Sequence, residues 1–367
     1  MKKKFIPQFE PWLGKEEIKE VTKSIRANWI TGGPKVKKFQ EKIANLCKVK
    51  HAIAVCNGTQ ALYLGLKILG IKEGNEVIVP DFTFIASANS VVLAGAKPVF
   101  VDIDKKTFNI DPESIQRAIN KKTKAIMPVH IYGQAADMEA IMKIARKNKL
   151  LVIEDAAQGI GVTFKKKPVG GFGDVGCLSF YADKTMTTGE GGMVLTNNDK
   201  LAKKCIILMN QGRVKRGWYF HEKIGYNFRL TDLQAAVGLA QLSKLSNIIK
   251  RKKKNERSYR KYLANIPEIE FPYIDPRGFN VPFRINILVK NPQKLCEFLE
   301  KNGIGSKRFF YPLHLQPCYR IKRNFPNSVF AYEKGLSLPT SVNLKENEIR
   351  YICDQIKNFF KRNDIKK

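Results

Sequence analysis

The sequence predicts an α/β protein: a large domain on a mostly parallel sheet, followed by a smaller α+β domain. Between residues 51 and 196, short apolar runs of strand length alternate with stretches of helical period. The runs are continuously apolar instead of alternating with polar residues, the pattern of parallel strands covered on both faces. A long helical segment then separates this region from a shorter one of different pattern. With 367 residues and 44% hydrophobic content the chain can bury two cores. The expected domains are residues 1–245 and 246–367.

The elements follow in order. Ile18, Val21 and Ile25 stand at helical spacing with Trp29 a turn further on, predicting an amphipathic helix over 15–29 that Gly32, Gly33 and Pro34 end. HAIAV, NEVIVP, KPVFVDI, KAIMPVHIYG, LLVIED, VGCLSF and GGMVLTN read as strands. Helices are expected over QALYLGLKIL, IASANSVVLAG, ESIQRAI and ADMEAIMKIARKN. Leu233, Ala236, Val237 and Ala240 open a long helix that runs through the basic stretch near 250 toward Tyr262. Beyond it, FRINILVK reads as a strand, PQKLCEFLEKNG as a helix stopped by Gly303, and ENEIRYICDQIKNFFKR as a final helix.

Composition excludes several classes. No apolar stretch is long enough for a membrane span, and MKKKFIPQFEPW lacks the apolar region of a secretory signal, so the expected location is the cytoplasm. Seven scattered cysteines without a CxxC pair and four histidines without ligand spacing indicate neither a disulfide framework nor a metal site. The net charge of +32 raises a nucleic-acid partner as a rival reading. However, the densest run, KRKKK at 250–254, has no interleaved aromatics for base stacking, and solvated faces explain it more simply. No nucleic-acid or membrane partner is expected, and a positive field would help gather anionic substrates.

Ligands of such sheets gather at the carboxyl ends of the strands, and four ends here carry candidates. After HAIAVC, Asn57, Gly58 and Thr59 open a helix whose free amides and hydroxyl suit a phosphate, although a plain N-cap would look the same. LLVIED runs into Asp155 and then Gln158; a carboxylate there needs a cationic or hydrogen-bonding partner, such as a protonated pyridine nitrogen, or could cap the next turn. VGCLSF ends at Ser179, with Lys184 five residues on, in a loop closed by GEGG. A partly desolvated lysine there becomes a nucleophile toward aldehydes, and the glycines are expected to leave room for a flat ring. Phe84 follows NEVIVP, placed either to stack on a ring or to pack in the core. A phosphate cradle, an acid for a pyridinium, a lysine for an aldehyde and a ring face together describe pyridoxal 5'-phosphate held as a Schiff base.

The motifs NGTQAL, DFTFIAS, PVHIYGQAADM, IEDAAQ, SFYADKTMTTGEGG and IGYNFRLTDLQAA, in this order, resemble the DegT-type sugar aminotransferases, within fold type I of the PLP-dependent transferases (aspartate aminotransferase-like). The resemblance covers nearly the whole chain. It implies Lys184 as the cofactor lysine and proton shuttle, Asp155 at the pyridinium nitrogen, Gln158 against the ring, and Phe84 stacked on it. It further implies Gly58, Thr59 and Ser179 at the phosphate, and a homodimer with shared sites in which Asn227 reaches the neighbouring subunit's cofactor. Arg229 would meet an anionic donor or substrate and His314 would lie near the sugar, where a structural histidine is the alternative. Relatives that remove a hydroxyl carry histidine where Lys184 stands; this chain keeps the lysine, which argues for transamination. WITGGPK, DFTFIASANSV and EDAAQ are most similar to the sugar 4-aminotransferases of the GDP-perosamine synthase group. The implied reaction is transfer of an amino group from L-glutamate to a nucleotide-linked 4-keto-6-deoxy sugar. Amination at carbon 3, a sugar dehydratase, and a non-catalytic regulatory or nucleic-acid-binding protein remain the alternatives.

Overall fold

The computed structural model describes residues 5–215 and 218–364. Its centre is a seven-stranded sheet in the order His51–Val55, Gly192–Thr196, Val175–Ser179, Leu151–Asp155, Thr123–Ile126, Glu76–Pro80, Lys97–Val101. Gly192–Thr196 runs against both of its neighbours, and every other pairing is parallel. The continuous apolar runs have the predicted cause, since successive residues of a strand enter opposite cores. Ile53, Val77, Val79, Ile153, Val175 and Cys177 pack with residues of the helices Gly58–Ile68, Ala86–Leu93 and Asp199–Met209. Their alternates Ala52, Ala54, Ile78, Val152 and Leu178 pack with residues of Pro34–Cys47, Met138–Lys147 and the long helix Asp232–Leu263.

The long helix starts on a capping box, in which Thr231 and Gln234 exchange side-chain and backbone bonds. Asp232 turns outward to accept from the amides of Lys35 at 3.2 Å and Val36 at 2.8 Å, so it also serves the start of the helix Pro34–Cys47. At its other end, Tyr259 and Leu263 enter a separate core. That core lies against a three-stranded antiparallel sheet, Ile285–Leu288, Gly335–Leu338 and Lys307–Arg308, and the helices Pro292–Lys301 and Glu346–Asp364. No helix among the described residues is long and apolar enough to cross a membrane.

Three local differences from the sequence reading have physical causes. The first helix spans Lys15–Arg26 and leaves Trp29 outside it, because Asn28 takes a left-handed φ of 53° and turns the chain. Only the first three residues of KAIMPVHIYG are strand, as the end of Thr123–Ile126; further on, Tyr132 sits at φ 53° in a single 3-10 turn, Ile131–Gly133. A hairpin joins Thr163–Phe164 to Lys167–Pro168 through Lys165 and Lys166, both at positive φ. Tight hairpin turns of this kind normally announce themselves by Asn or Gly, so two lysines hid it.

Candidate active site

Strand register brings the predicted ends together. Val55 pairs with Gly192, and Gly192 pairs with Ser179, so the turn Asn57–Gly58 stands beside the Ser179 hydroxyl. A Cβ on Gly58 would lie 2.8 Å from Ser179 Cβ and 3.0 Å from its Oγ. Glycine is therefore required by contact with the neighbouring strand end. Asn57 caps the helix, its side chain accepting from Gln60 N at 2.9 Å. Capping does not displace the phosphate reading, because the amides of Gly58 and Thr59 keep no acceptor among the described residues. Among the described residues Ser179 Oγ accepts a single long bond, of 3.3 Å from Tyr181 N, and keeps its own proton to donate.

Asp155 pairs with Cys177 in the adjacent parallel strand and faces the helix Ala86–Leu93. Its Oδ2 accepts from Ser87 Oγ at 2.7 Å and its Oδ1 from Ala157 N at 3.1 Å. One oxygen thus caps the following turn while the other is held from the next helix. Burial pushes this carboxyl above its ordinary range; the bonds from Ser87 and Ala157 and the charge of Lys184 oppose that rise without cancelling it. A carboxylate in this state gains from any cation brought against it, which is the fit a protonated ring nitrogen requires.

Its neighbour Glu154 points to the opposite face, where it accepts from Gly170 N at 2.7 Å, Phe172 N at 2.6 Å and Gly173 N at 2.7 Å, and from His130 Nε2 at 3.0 Å. His130 Nδ1 accepts from Ala136 N at 3.2 Å, which leaves the proton on Nε2. Burial alone would raise the Glu154 carboxyl, but His130 and the glycine amides outweigh it and hold it low. His130 N in turn donates to Asp155 O at 3.1 Å, so this buried cluster fixes the strand end that carries Asp155. Gln158 is buried and its Oε1 accepts from Tyr132 N at 2.7 Å.

Lys184 lies in a tight turn, its amide bonded to Tyr181 O at 2.9 Å. Threonines pin the loop around it: Thr187 Oγ1 donates to Phe180 O at 2.9 Å and Thr188 Oγ1 to Glu190 O at 2.6 Å. Its Nζ is 3.1 Å from Asp183 Oδ1. Burial, above all, pushes its ammonium below the usual lysine range; Asp183 opposes this and Arg284 adds to it. The glycines of GEGG have a different cause from the one expected. A Cβ on Gly191 would meet Thr188 Oγ1 at 2.2 Å, and one on Gly192 would meet Asn57 O at 2.3 Å. Gly192 thus lets the returning strand pass against the Asn57 backbone, Gly191 makes room for the Thr188 hydroxyl, and Gly189 supplies a left-handed turn at φ 82°.

Phe84 is 57% exposed, its ring 6.2 Å from that of Phe310, so it is not part of the core. Arg229 follows a stretch lying along the edge strand, with Cys56 N bonded to Phe228 O at 3.0 Å, and its Nη1 donates to Asn210 Oδ1 at 2.8 Å. Asn227 is exposed. His314 is buried, its amide and its Nδ1 each 2.7 Å from an oxygen of Asp81, and its ring packs on Phe325. The fold therefore gathers Gly58, Thr59, Ser179, Asp155 and Lys184 at the strand ends, and gives His314 the surroundings of a loop tie. Sequence reading missed Ser87, His130, Asp183 and Arg284. Ser87, His130 and Asp183 lay within quoted motifs without being singled out, and nothing in one dimension pairs Arg284 with Asp183.

Known proteins resemble this chain over nearly its whole length. The GDP-perosamine synthase of Vibrio cholerae is 41% identical over 364 residues, covering 97% of this chain and 99% of that protein. The UDP-2-acetamido-2-deoxy-3-oxo-D-glucuronate aminotransferase of Pseudomonas aeruginosa is 36% identical over 329 residues, 89% of this chain and 91% of that one. Among solved structures, Spr1654 of Streptococcus pneumoniae in its PLP form superposes with a TM-score of 0.91 at 28% identity, covering 96% of this chain and 97% of that one. Residues 11–357 match the family model, and the chain belongs to the DegT/DnrJ/EryC1/StrS aminotransferase family.

Proposed function

We propose that this chain transfers an amino group from L-glutamate to a nucleotide-linked 4-keto-6-deoxy sugar, in two half-reactions that donor and acceptor complete in turn. The chain is a sugar aminotransferase, and pyridoxal 5'-phosphate is its cofactor. The observation that carries the reading is the desolvated amine of Lys184 on the loop after Ser179, at the sheet edge that also carries Asp155. When bound, the cofactor supplies an aldehyde to take up the amino group and a ring to withdraw electrons from the reacting carbon.

The chain's own residues supply the rest. Gly58 and Thr59 amides and the Ser179 hydroxyl bind the phosphate at a helix N-terminus. Asp155 holds its charge against the ring nitrogen, and Gln158 and Phe84 orient the ring faces. Lys184 would hold the substrate proton at Nζ and return it on the adjacent atom, and would take its place on the cofactor again only when the second half-reaction is complete. Arg229 receives the carboxylate of the donor or the anionic end of the substrate, and His314, fixed by Asp81, shapes the sugar side.

A second copy of the chain completes the site in this reading. Tyr219 is 89% and Ile224 91% exposed, close in sequence to the exposed Asn227, an apolar face that a homodimer would cover. Asn227 then reaches the phosphate held by the neighbouring subunit. Similarity to the GDP-perosamine synthase supports carbon 4 and a GDP-linked acceptor. Similarity to the 3-oxo-glucuronate aminotransferase supports carbon 3 as the second reading. The non-catalytic reading gives way to the family assignment.

The test is the visible spectrum of the protein with pyridoxal phosphate before and after L-glutamate, followed by GDP- and UDP-linked 4-keto-6-deoxy sugars with 15N-glutamate. Bleaching by glutamate and a 15N-labelled 4-amino GDP-sugar are expected. Bleaching with no labelled product from either sugar would overturn the acceptor, and no bleaching would overturn glutamate as donor.

A further inference from the structure

The strand ends do not account for all of the charge around Lys184. Asp183 places one oxygen 3.1 Å from Lys184 Nζ and the other 2.8 Å from Arg284 Nη2. Arg284 is 101 residues away in sequence and also donates to the side chain of Gln8 from the N-terminal segment. Both cations meet the same ring: Lys184 Nζ lies 4.5 Å and the Arg284 guanidinium 4.7 Å from the centroid of Phe283. Behind them Lys252, fully buried on the long helix, donates to Pro282 O at 3.1 Å, two residues before Arg284.

We propose that the Asp183–Arg284 ion pair is a positioning device for Lys184, which fixes the amine against one carboxylate oxygen and sets the pH at which it gives up its proton. The inference rests on the reading of Lys184 as the cofactor lysine. Asp183 and Arg284 lie outside the phosphate, ring and substrate contacts assigned above.

Charge balance governs this largely buried cluster, in which the side chains of Lys184 and Asp183 are 16% and 23% exposed. The groups facing Lys184 are Asp183 on its own loop, Arg284 from the strand segment across it, and Asp155 from the neighbouring strand end. Lys252 joins through Arg284 and Asp183, and Tyr132, kept a neutral phenol by burial, faces Arg284. Asp183 thus meets two cations directly, and the third, Lys252, responds to the same pair. Arginine does not deprotonate in proteins, so Arg284 is a fixed charge and the lysines must respond to it. Burial and Arg284 push Lys252 down to about 7. Arg284 also occupies Asp183 Oδ2, which leaves Oδ1 to face Lys184. Asp183 alone would hold the amine protonated, and Arg284 alone would repel its proton. The pair sets the amine between these extremes.

The two members should therefore act with opposite sign, which loss of packing would not produce. The experiment uses the full-length chain freed of cofactor. Lys184 is acetylated with trace acetic anhydride across pH, and the labelled peptide is read by mass spectrometry. Asp183→Asn, close to isosteric, should lower the Lys184 midpoint by about one pH unit or more, and Arg284→Gln should raise it by a similar amount. Arg284→Lys, which keeps the charge, should stay nearer the parent. Shifts of the same sign in Asp183→Asn and Arg284→Gln, or none in either, would overturn the proposal. Should Arg284→Gln not fold, Asp183→Asn decides alone, an unchanged or raised midpoint counting against it. Because the labelling needs neither cofactor nor sugar, it stands or fails separately from the proposed reaction.

Discussion

Gly58 and Ser179 touch across a gap that admits no side chain: a Cβ on Gly58 would sit 2.8 Å from Ser179 Cβ. The contact joins the helix Gly58–Ile68 to the strand end preceding Lys184. Gly58→Ala should push the helix start away from Ser179 and weaken the phosphate site. Overpacking of this kind costs about 1–3 kcal/mol, so pyridoxal phosphate should bind about 5- to 150-fold more weakly. Equilibrium titration of the apoprotein by cofactor absorbance measures it, and unchanged affinity would remove Gly58 from the cradle.

Lys184→Ala should reduce amino-sugar formation by at least about 10³-fold, the range lost with a positioned proton-transferring group and a covalent nucleophile together. Some cofactor should still bind, since the phosphate and ring contacts remain. Product formation at the normal rate, followed by mass spectrometry, would end the proposed role.

Much of this site was legible because parallel strands deliver their carboxyl ends to one edge of the sheet, so each motif could be placed from its own stretch. Asn57–Thr59, Asp155, Ser179 and Lys184 are of this kind. What was not legible depends on pairings across the fold. Ser87 meets Asp155 over 68 residues, and Arg284 meets Asp183 over 101. The GEGG glycines were read as space for a ring because the strand crossing they permit, against Asn57 O, exists only after Gly192 pairs with Val55. The Lys165–Lys166 turn carried no turn residue at all.

Asp155→Asn separates stability from function. Burial raises the Asp155 carboxyl, so the folded state holds its proton to higher pH than the unfolded chain and ionisation works against folding as pH rises above the ordinary aspartate range. Removing the charge should leave the melting temperature of the apoprotein at neutral pH unchanged or higher. The same change should slow both half-reactions by about 10²-fold or more, as it removes the charge held against the ring nitrogen. A lower melting temperature with unchanged stopped-flow rates would reverse both expectations.

Ile224→Asp tests the second copy. An exposed apolar residue outside an interface tolerates a charge within about 0.5 kcal/mol, whereas one inside an interface does not. Light scattering after gel filtration should show a dimer for the parent chain and a monomer for the variant, with cofactor affinity falling alongside because Asn227 is withdrawn. A variant that remains dimeric would place the interface elsewhere.

Glu154 contributes a pH dependence of stability at the strand end that carries Asp155. Its carboxyl accepts four hydrogen bonds from the buried His130 ring and the amides of Gly170, Phe172 and Gly173, and these hold its folded proton affinity below the ordinary glutamate value of 4.5. A depressed folded value means stability that is present above the unfolded value and lost as pH falls through the folded one. Urea unfolding should therefore weaken progressively below about pH 4.5 in the parent chain. Glu154→Gln puts an amide donor among donors and leaves buried groups without an acceptor, which should cost about 3–5 kcal/mol at neutral pH. It should also flatten the acid limb, because the titrating group is gone. Equal steepness of that limb in parent and variant would show that another carboxylate governs acid unfolding and that the His130–Glu154 cluster does not anchor the strand end carrying Asp155.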